Sequence, residues 1–517
     1  MALIDTPRAS PTFVASALLL VLVSAAVQYW SRSRTRSKLP PGPTPLPILG
    51  NILDIPRNNP WRTFAEWGKI YGDVIHLQVF GKSIILLNSA EATNDLLEGR
   101  FGIYSDRPAF PLIDLVGHSK WNFGFMPYGQ LWRSQRRLLQ EKYTNQAFLR
   151  SVEPSHCIVV ARYLQNLLRD PEGVFEHIQL RAGQLIMDVT YGVTVEDAQD
   201  PFVQTAQHVM DVVAVGLSPP LWLLNPLAIV QGLPSWMGGQ TALPGLQRWR
   251  TDLEDMRCKP FAQVKESLAK GTARTSYAAT LLQEMAPADE SELENTIRDT
   301  ATLAYGAGFD TAVSNAESFL LAMILYPEVQ KKGQEEIDRV VGNQRLPDYS
   351  DKDSLPYITA MMKETFRWHP PAPTGIPHKL RSDDVYKGMH IPGGAIVMGN
   401  VWGICHDPER YPDPDAYKPE RFLRTDGTFD CSTNDPSRFV FGFGRRVCPG
   451  KYFSEDSSWL MIAQFLATFS ITAAEGQPFP KAEFMPGGVS RPKKFKSRIT
   501  PRSKAAAELV EHAARDY

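Results

Sequence analysis

From Thr12 to Trp30 the chain runs TFVASALLLVLVSAAVQYW without a charge. At about 1.5 Å per residue, a helix of that length nearly crosses a hydrocarbon layer of about 30 Å. Tyr29 and Trp30 suit its interface, and Arg32, Arg34, Arg36 and Lys38 follow at once, against only Asp5 and Arg8 on the other flank. The positive-inside rule then keeps the rest of the chain cytoplasmic. The pattern predicts an uncleaved anchor with its basic flank over residues 1–38. A cleaved signal peptide would want positive charge ahead of a shorter apolar run and a small-residue site behind it. Pro40, Pro41, Pro43, Pro45 and Pro47 fix the backbone of LPPGPTPLPILGN and predict a stiff linker over 39–50. Residues 51–517 follow as a single folded unit.

Within that unit the apolar positions recur mostly at helical spacing, predicting helices near 129–150, 174–192, 247–270, 290–326, 327–341, 355–369 and 451–469. The β-branched, partly alternating DVIHLQVFGKSIILLN (73–88) predicts a hairpin around Gly81 and Lys82. Short strands are expected over 385–401, with Pro392, Gly393 and Gly394 at the turn. The fold class is therefore mainly α with a minor β-sheet. Residues 212–239 are apolar again, but Pro219, Pro220, Pro226 and Pro234 break the stretch too often for a continuous span. It reads either as a loop packed on the core or as an apolar lid touching the bilayer.

Composition narrows the picture. Lys+Arg 55 against Asp+Glu 56 leaves a net charge of -1 over 517 residues, so no general attraction to nucleic acid is expected. The five cysteines, at 157, 258, 405, 431 and 448, form no C-x-x-C pair, which speaks against a disulfide framework and a structural zinc site. One of them is unusual. Cys448 lies in FGFGRRVCPG, where a glycine-rich loop enters the apolar helix over 451–469. Helix N-terminal N–H groups and the neighbouring arginines would both favour its thiolate. A buried structural cysteine is the plainest reading. A phosphate loop fails, because GFGRRV lacks the third glycine of G-x-G-x-x-G and opens no βαβ unit. A nucleophile paired with one of the 10 histidines stays open, as does a soft axial ligand to haem iron.

FGFGRRVCPG resembles the F-x-x-G-x-R-x-C-x-G signature of the cytochromes P-450 at all its fixed positions: Phe441, Gly444, Arg446, Cys448 and Gly450. Three further motifs follow the family's order, so the resemblance runs from the anchor to about residue 500. KETFR and KPERF resemble the Glu-Arg-Arg arrangement in which Arg421 closes on Glu364 and Arg367. AYGAGFDTAVS resembles the distal-helix motif, through Ala307, Gly308, Asp310 and Thr311. Taken alone, Gly306 and Gly308 in a helix interior usually mean close helix packing. Trp132 and Arg136 in LWRSQR, and His378 in GIPH, look like the family's propionate contacts. Ser454 departs from the pattern, standing where the family usually has alanine.

The resemblance implies a cytochrome P-450 fold, with heme b (iron protoporphyrin IX) between a long distal helix and a proximal cysteine loop. Cys448 would be the axial iron ligand, and Thr311, aided by Asp310, the proton carrier to iron-bound oxygen. It implies an oxidoreductase of the EC 1.14 type: a monooxygenase inserting one oxygen atom from O2 into a lipophilic small molecule. The look of 366–392 is nearest to fungal enzymes of secondary metabolism, suggesting a terpenoid, a polyketide or another such metabolite. No G-x-G-x-x-G fingerprint occurs, so electrons from NADPH would come through a separate NADPH-cytochrome P-450 reductase, with cytochrome b5 as an optional second donor. Docking is expected on the cationic surface near Arg445 and Lys451. The implied location is the endoplasmic reticulum membrane, with lipid around the single-pass anchor and the catalytic domain cytoplasmic. Two rival readings keep the cysteine loop: a haem-thiolate isomerase or dehydratase, and a non-catalytic haem-binding membrane sensor.

Overall fold

Helix α8 (Glu290–Leu325) has apolar residues on all sides, as a helix enclosed by neighbours must. The computed structural model describes residues 38–217, 245–285, 290–432 and 434–513, and within them α8 is the central rod. Around it lie α2 (Gln130–Tyr143), α4 (Val174–Tyr191), α5 (Pro201–Gly216), α6 (Leu246–Ala269), α7 (Tyr277–Glu284) and α11 (Lys451–Thr468). Helix α3 (Glu153–Arg169) backs α4 and α11. Helices α9 (Pro327–Val340) and α10 (Pro356–Trp368) pack on the other side of α11. A short α1 (Pro60–Tyr71) precedes the sheet, and α12 (Lys504–Ala513) closes against α3. One apolar core runs through most of these helices, with Phe309, Phe319, Trp459 and Phe465 essentially inaccessible.

Several expected helices end within a residue or two of their predicted limits. The stretch 129–150 is the exception: α2 stops at Tyr143, and the Asn145 side chain accepts from the backbone N–H of Ala147 to start a new short helix, Gln146–Ser151. Capping by asparagine outcompetes continuation there.

The main sheet has the order β1 (Val74–Val79), β2 (Lys82–Leu87), β6 (Ile396–Gly399), β3 (His378–Lys379). β1 and β2 form the expected hairpin, but its two loop residues are Phe80 and Gly81, both at positive φ, and Lys82 already belongs to β2. That is the geometry a two-residue hairpin loop favours. Over 385–401 the expected strands appear in two sheets. Lys387 and Gly388, again at positive φ, turn β4 (Asp384–Tyr386) into β5 (Met389–Ile391). Pro392, Gly393 and Gly394 lead on to β6, which pairs with β2. A last pair joins β7 (Phe469–Ala473) to β8 (Ser497–Pro501).

The proline-rich stretch 39–50, expected as a spacer, lies against β1. Pro41 O accepts from His76 N, Pro43 O from Asn51 Nδ2, and Gly50 bridges to Val79. Residues 1–37 of the expected anchor, and 218–239 of the second apolar stretch, lie outside the described residues. Among the described residues no helix is long and apolar enough to cross a membrane.

One buried acid gives the fold a pH signature. Burial pushes the carboxyl of Glu317 on α8 up to about 8; Lys494 lowers it and Glu176 raises it. The unfolded chain loses this proton near the ordinary carboxylate pKa, so folding stability falls as pH rises from there to about 8. The full penalty is roughly 4–5 kcal/mol. Glu317→Gln should therefore match the wild type near pH 5 and exceed it increasingly toward pH 8, measured as denaturant midpoints across that range. Parallel pH profiles for the two proteins would contradict the assignment.

Candidate active site

The cysteine loop is shaped by where its glycines lie. Gly444 (φ 53) sits so close to the turn Asn94–Gly99 that a Cβ would stand 2.2 Å from Leu97 O. No side chain fits there. Gly442 takes φ 81, and the loop is tied by Cys448 N to Phe441 O. Phe441 meets Phe366 of α10 edge to face at 5.3 Å. Cys448 is solvent-accessible.

Helix terminus and arginines were expected to lower the pKa of this thiol. Burial instead pushes it up, offset in part by the Gly450 N–H and by the charge of Arg136. Gly450 is the N-cap of α11, so the helix contributes through that one donor. The cation near the sulfur is Arg136 on α2, rather than Arg445 or Arg446.

Arg446 turns away from the sulfur and is buried. It donates to Ser105 O, Phe123 O and Met126 O at 2.8, 2.8 and 3.0 Å, beneath the Trp132 ring at 4.7 Å. Burial holds its pKa down to about 9; Asp106 raises it and Arg136 lowers it. Arg136 donates to Gln140 Oε1 and is likewise lowered by burial. The Trp132 Nε1–H is buried without an acceptor. His378 donates Nδ1–H to Tyr104 O at 2.8 Å, while burial, then Arg107, push its pKa far down. It is neutral as it stands, so Nε2 is an acceptor and could meet a carboxylate only after gaining a proton.

Sequence reasoning missed Arg107. It is buried in the same cluster, with donors on Gly124 O, Ile376 O and Pro377 O, and its pKa is lowered by burial and then by Arg446. Its neighbourhood, SDRPAFPL, carries no local signal of that burial. Among the described residues none of Arg107, Arg136 and Arg446 has a carboxylate in ion-pair contact. Three buried guanidinium groups left with carbonyls, amides and a ring, beside an orphaned indole N–H, fit an anionic group such as the carboxylates of haem. The donor set thus matches that cofactor.

Glu364 anchors the other side. Its carboxylate receives two bonds from Arg367 (2.7 and 2.8 Å), one from Lys418 N (2.6 Å) and one from Arg421 Nε (3.2 Å). Arg367 and Glu364 are fully inaccessible, Arg421 slightly exposed. Burial alone would lower the Arg367 pKa, but Glu364 outweighs it. Arg367 also donates to Cys405 O, Pro414 O and Ala416 O, gathering 405–416 beneath α10.

On α8, Thr311 Oγ1 donates to Ala307 O at 2.8 Å, competing for a carbonyl of the preceding turn. Gly306 and Gly308 have packing partners: a Cβ would stand 2.9 Å from Met256 Cε and 2.8 Å from Ile186 Cδ1. Of the small residues in this motif, Ala307 is the exposed one. Asp310 is buried and ion-paired to Arg491, a partner the sequence did not suggest. Among the described residues no hydrogen bond or ion pair joins Asp310 or Thr311 to the Cys448 cluster. The two parts meet through the turn 122–126: Leu303 of α8 touches the Gly124 position, and Phe123 and Met126 carbonyls hold Arg446.

Comparison with known proteins points the same way. The Cytochrome P450 family profile matches residues 40–499. Cytochrome P450 monooxygenase 98 of Postia placenta is 37% identical over 95% of this chain and 96% of its own length. Cytochrome P450 monooxygenase claR of Ampulloclitocybe clavipes is 37% identical over 93% and 90%. Tryptamine 4-monooxygenase of Psilocybe cyanescens is 35% identical over 95% and 99%. With the cysteine loop, the buried arginine set and a match across nearly its whole length, the chain belongs to the cytochrome P450 family.

Proposed function

We propose that the protein is a membrane-anchored haem-thiolate monooxygenase of secondary metabolism. In this reading it inserts one oxygen atom from O2 into a lipophilic small molecule, taking electrons from NADPH through a separate reductase. The observation that carries it is the cluster of Arg107, Arg136 and Arg446, buried without carboxylate partners beside the Cys448 loop.

Cys448 would hold the iron of heme b. Arg107, Arg136, Arg446 and the Trp132 N–H would meet its carboxylates, with His378 joining after protonation. Thiolate-bound haem supplies the chemistry of O–O cleavage and C–H oxidation. The chain's own residues bind, orient and manage protons. An acidic pair of cofactor carboxylates would offset the arginine charges, and Gly450 N–H and Arg136 would temper the sulfur. Thr311 Oγ1 would hold a proton at the small-residue face of α8 next to Ala307, aided by the Asp310 carboxylate.

The candidate roof over this face is apolar: Phe110, Ile113, Phe125, Met210, Val213 and Met398 share one cluster, with Ile376 packed against it. Such a lining suits a terpenoid, a polyketide or another aromatic metabolite. The anchored location in the endoplasmic reticulum rests on the charge pattern around residues 12–30. Arg445 and Lys451 at the cysteine loop remain the proposed dock for the reductase, with cytochrome b5 as a second donor.

The test is the carbon-monoxide difference spectrum of the reduced protein, purified from cells given ample haem precursor. A strongly red-shifted Soret band is expected. A colourless protein, or one whose band marks a nitrogen ligand, would overturn the reading.

A further inference from the structure

The segment 485–493 lies across α8 and is fastened there by two consecutive residues. Ser490 O accepts from Ser314 Oγ at 2.6 Å, and Ser490 Oγ is 2.9 Å from His369 Nε2. Arg491 pairs with Asp310. Asp310 and Ser314 are one helical turn apart, hence on one face. The same segment grips α5 from the other side. Gly488 N donates to Ala214 O, and a Cβ on Gly488 would stand 2.4 Å from Leu217 Cβ. Asp211, one turn earlier on α5, places a second carboxylate within the field of Arg491. Segment 485–493 is therefore the bridge between α5, which contributes Met210 and Val213 to the apolar roof, and the acid on α8.

We propose that Arg491 is a positioning residue for Asp310, fixing the direction of its carboxylate and tying it to the seat of α5 on the 485–493 segment. The proposal rests on the monooxygenase reading. In that reaction RH + O2 + 2H⁺ + 2e⁻ gives ROH + H2O, the electrons coming from NADPH. When protons are misdelivered, O2 + 2H⁺ + 2e⁻ leaves as H2O2 and RH is untouched. A carboxylate adjacent to Thr311 serves the first outcome only if it is held in one place. A lone buried carboxylate would reorient or take up a proton. The Arg491 guanidinium, in ion-pair contact with it, holds it by charge.

The test uses the haem-loaded protein with a P-450 reductase and NADPH, and the variants Asp310→Asn, Arg491→Gln, Arg491→Lys and the double Asp310→Asn/Arg491→Gln. Two measurements are made: equilibrium unfolding, and peroxide released per NADPH oxidised, the latter in both H2O and D2O. Asp310→Asn and Arg491→Gln should each raise the peroxide fraction severalfold and change its solvent isotope effect alike. The double variant should be no worse than either, and Arg491→Lys should recover part of the loss. Unfolding midpoints of the four proteins in the cycle should be non-additive. A purely structural arginine would lower the midpoint while leaving peroxide fraction and isotope effect at wild-type values, and that result overturns the proposal. Additive effects in both measurements overturn it as well. If the wild type lacks the thiolate carbon-monoxide band, the monooxygenase reading falls instead, while the unfolding cycle still reports the ion pair.

Discussion

Cys448→Ser should abolish the red-shifted carbon-monoxide band and bring NADPH-driven turnover to background, while the protein still folds. The loop's shape does not depend on the sulfur: it is held by Cys448 N on Phe441 O, by the Phe441–Phe366 contact and by the Arg446 bonds, all intact in the variant. Cofactor retention then separates two contributions. The arginines proposed to meet the carboxylates are untouched, so haem should remain associated but report a weak or exchanged axial ligand. Burial pushes the Cys448 thiol up in this structure, so it is metal binding that would make the thiolate. Absorption spectra with and without carbon monoxide, beside the pyridine haem content, measure both. A serine variant that kept the wild-type band would remove Cys448 from the iron.

The second large effect is in the fold. Glu364→Ala strands the buried Arg367 and removes the carboxylate partner of the slightly exposed Arg421, and breaking a buried pair by removing one partner costs about 3–5 kcal/mol. A domain's whole stability is about 5–15 kcal/mol, so little or no folded haem protein should be recovered. Arg421→Ala should be milder. Its bond to Glu364 is longer, 3.2 Å against 2.7 Å for Arg367, and its remaining contacts include exposed carbonyls of Pro412 and Asp413. Soluble yield, haem content and denaturant midpoint give the order. A Glu364→Ala protein with wild-type midpoint would mean that the buried network carries no stability.

What the sequence made legible were patterns whose cause is local. Helices α4, α6 and α8 were readable because their apolar spacing persists over many turns. Helix α3 escaped notice because its buried face includes His156 and Tyr163, which complete the helical spacing with Val159, Val160, Leu164 and Leu167 only if counted as apolar. The contacts of the stretch 39–50 were hidden for a related reason. Proline lacks a donor but keeps its carbonyl, and Pro41 and Pro43 use theirs to join the sheet region. The Glu364, Arg367 and Arg421 arrangement was visible as spacing plus resemblance; in the structure Arg367 and Arg421 both donate to the Glu364 carboxylate. Arg107 and Arg491 were not visible, since each owes its place to segments far away in the chain. Nothing in RPAFPL or SRPKKF separates a buried guanidinium from a solvated one. The pKa of Cys448 was misjudged because desolvation, which no local motif encodes, outweighs the donors nearby.

The bonds of Arg446 have a consequence for biogenesis. Its carbonyl partners Ser105, Phe123 and Met126 were synthesised 341, 323 and 320 residues earlier. Contacts of such high sequence separation form late, because a long loop must close first. The arginine set thus stays unfinished in the nascent protein until residue 446 has left the ribosome. In the proposed reading, haem loading would then be a late event, after the arginine set is complete.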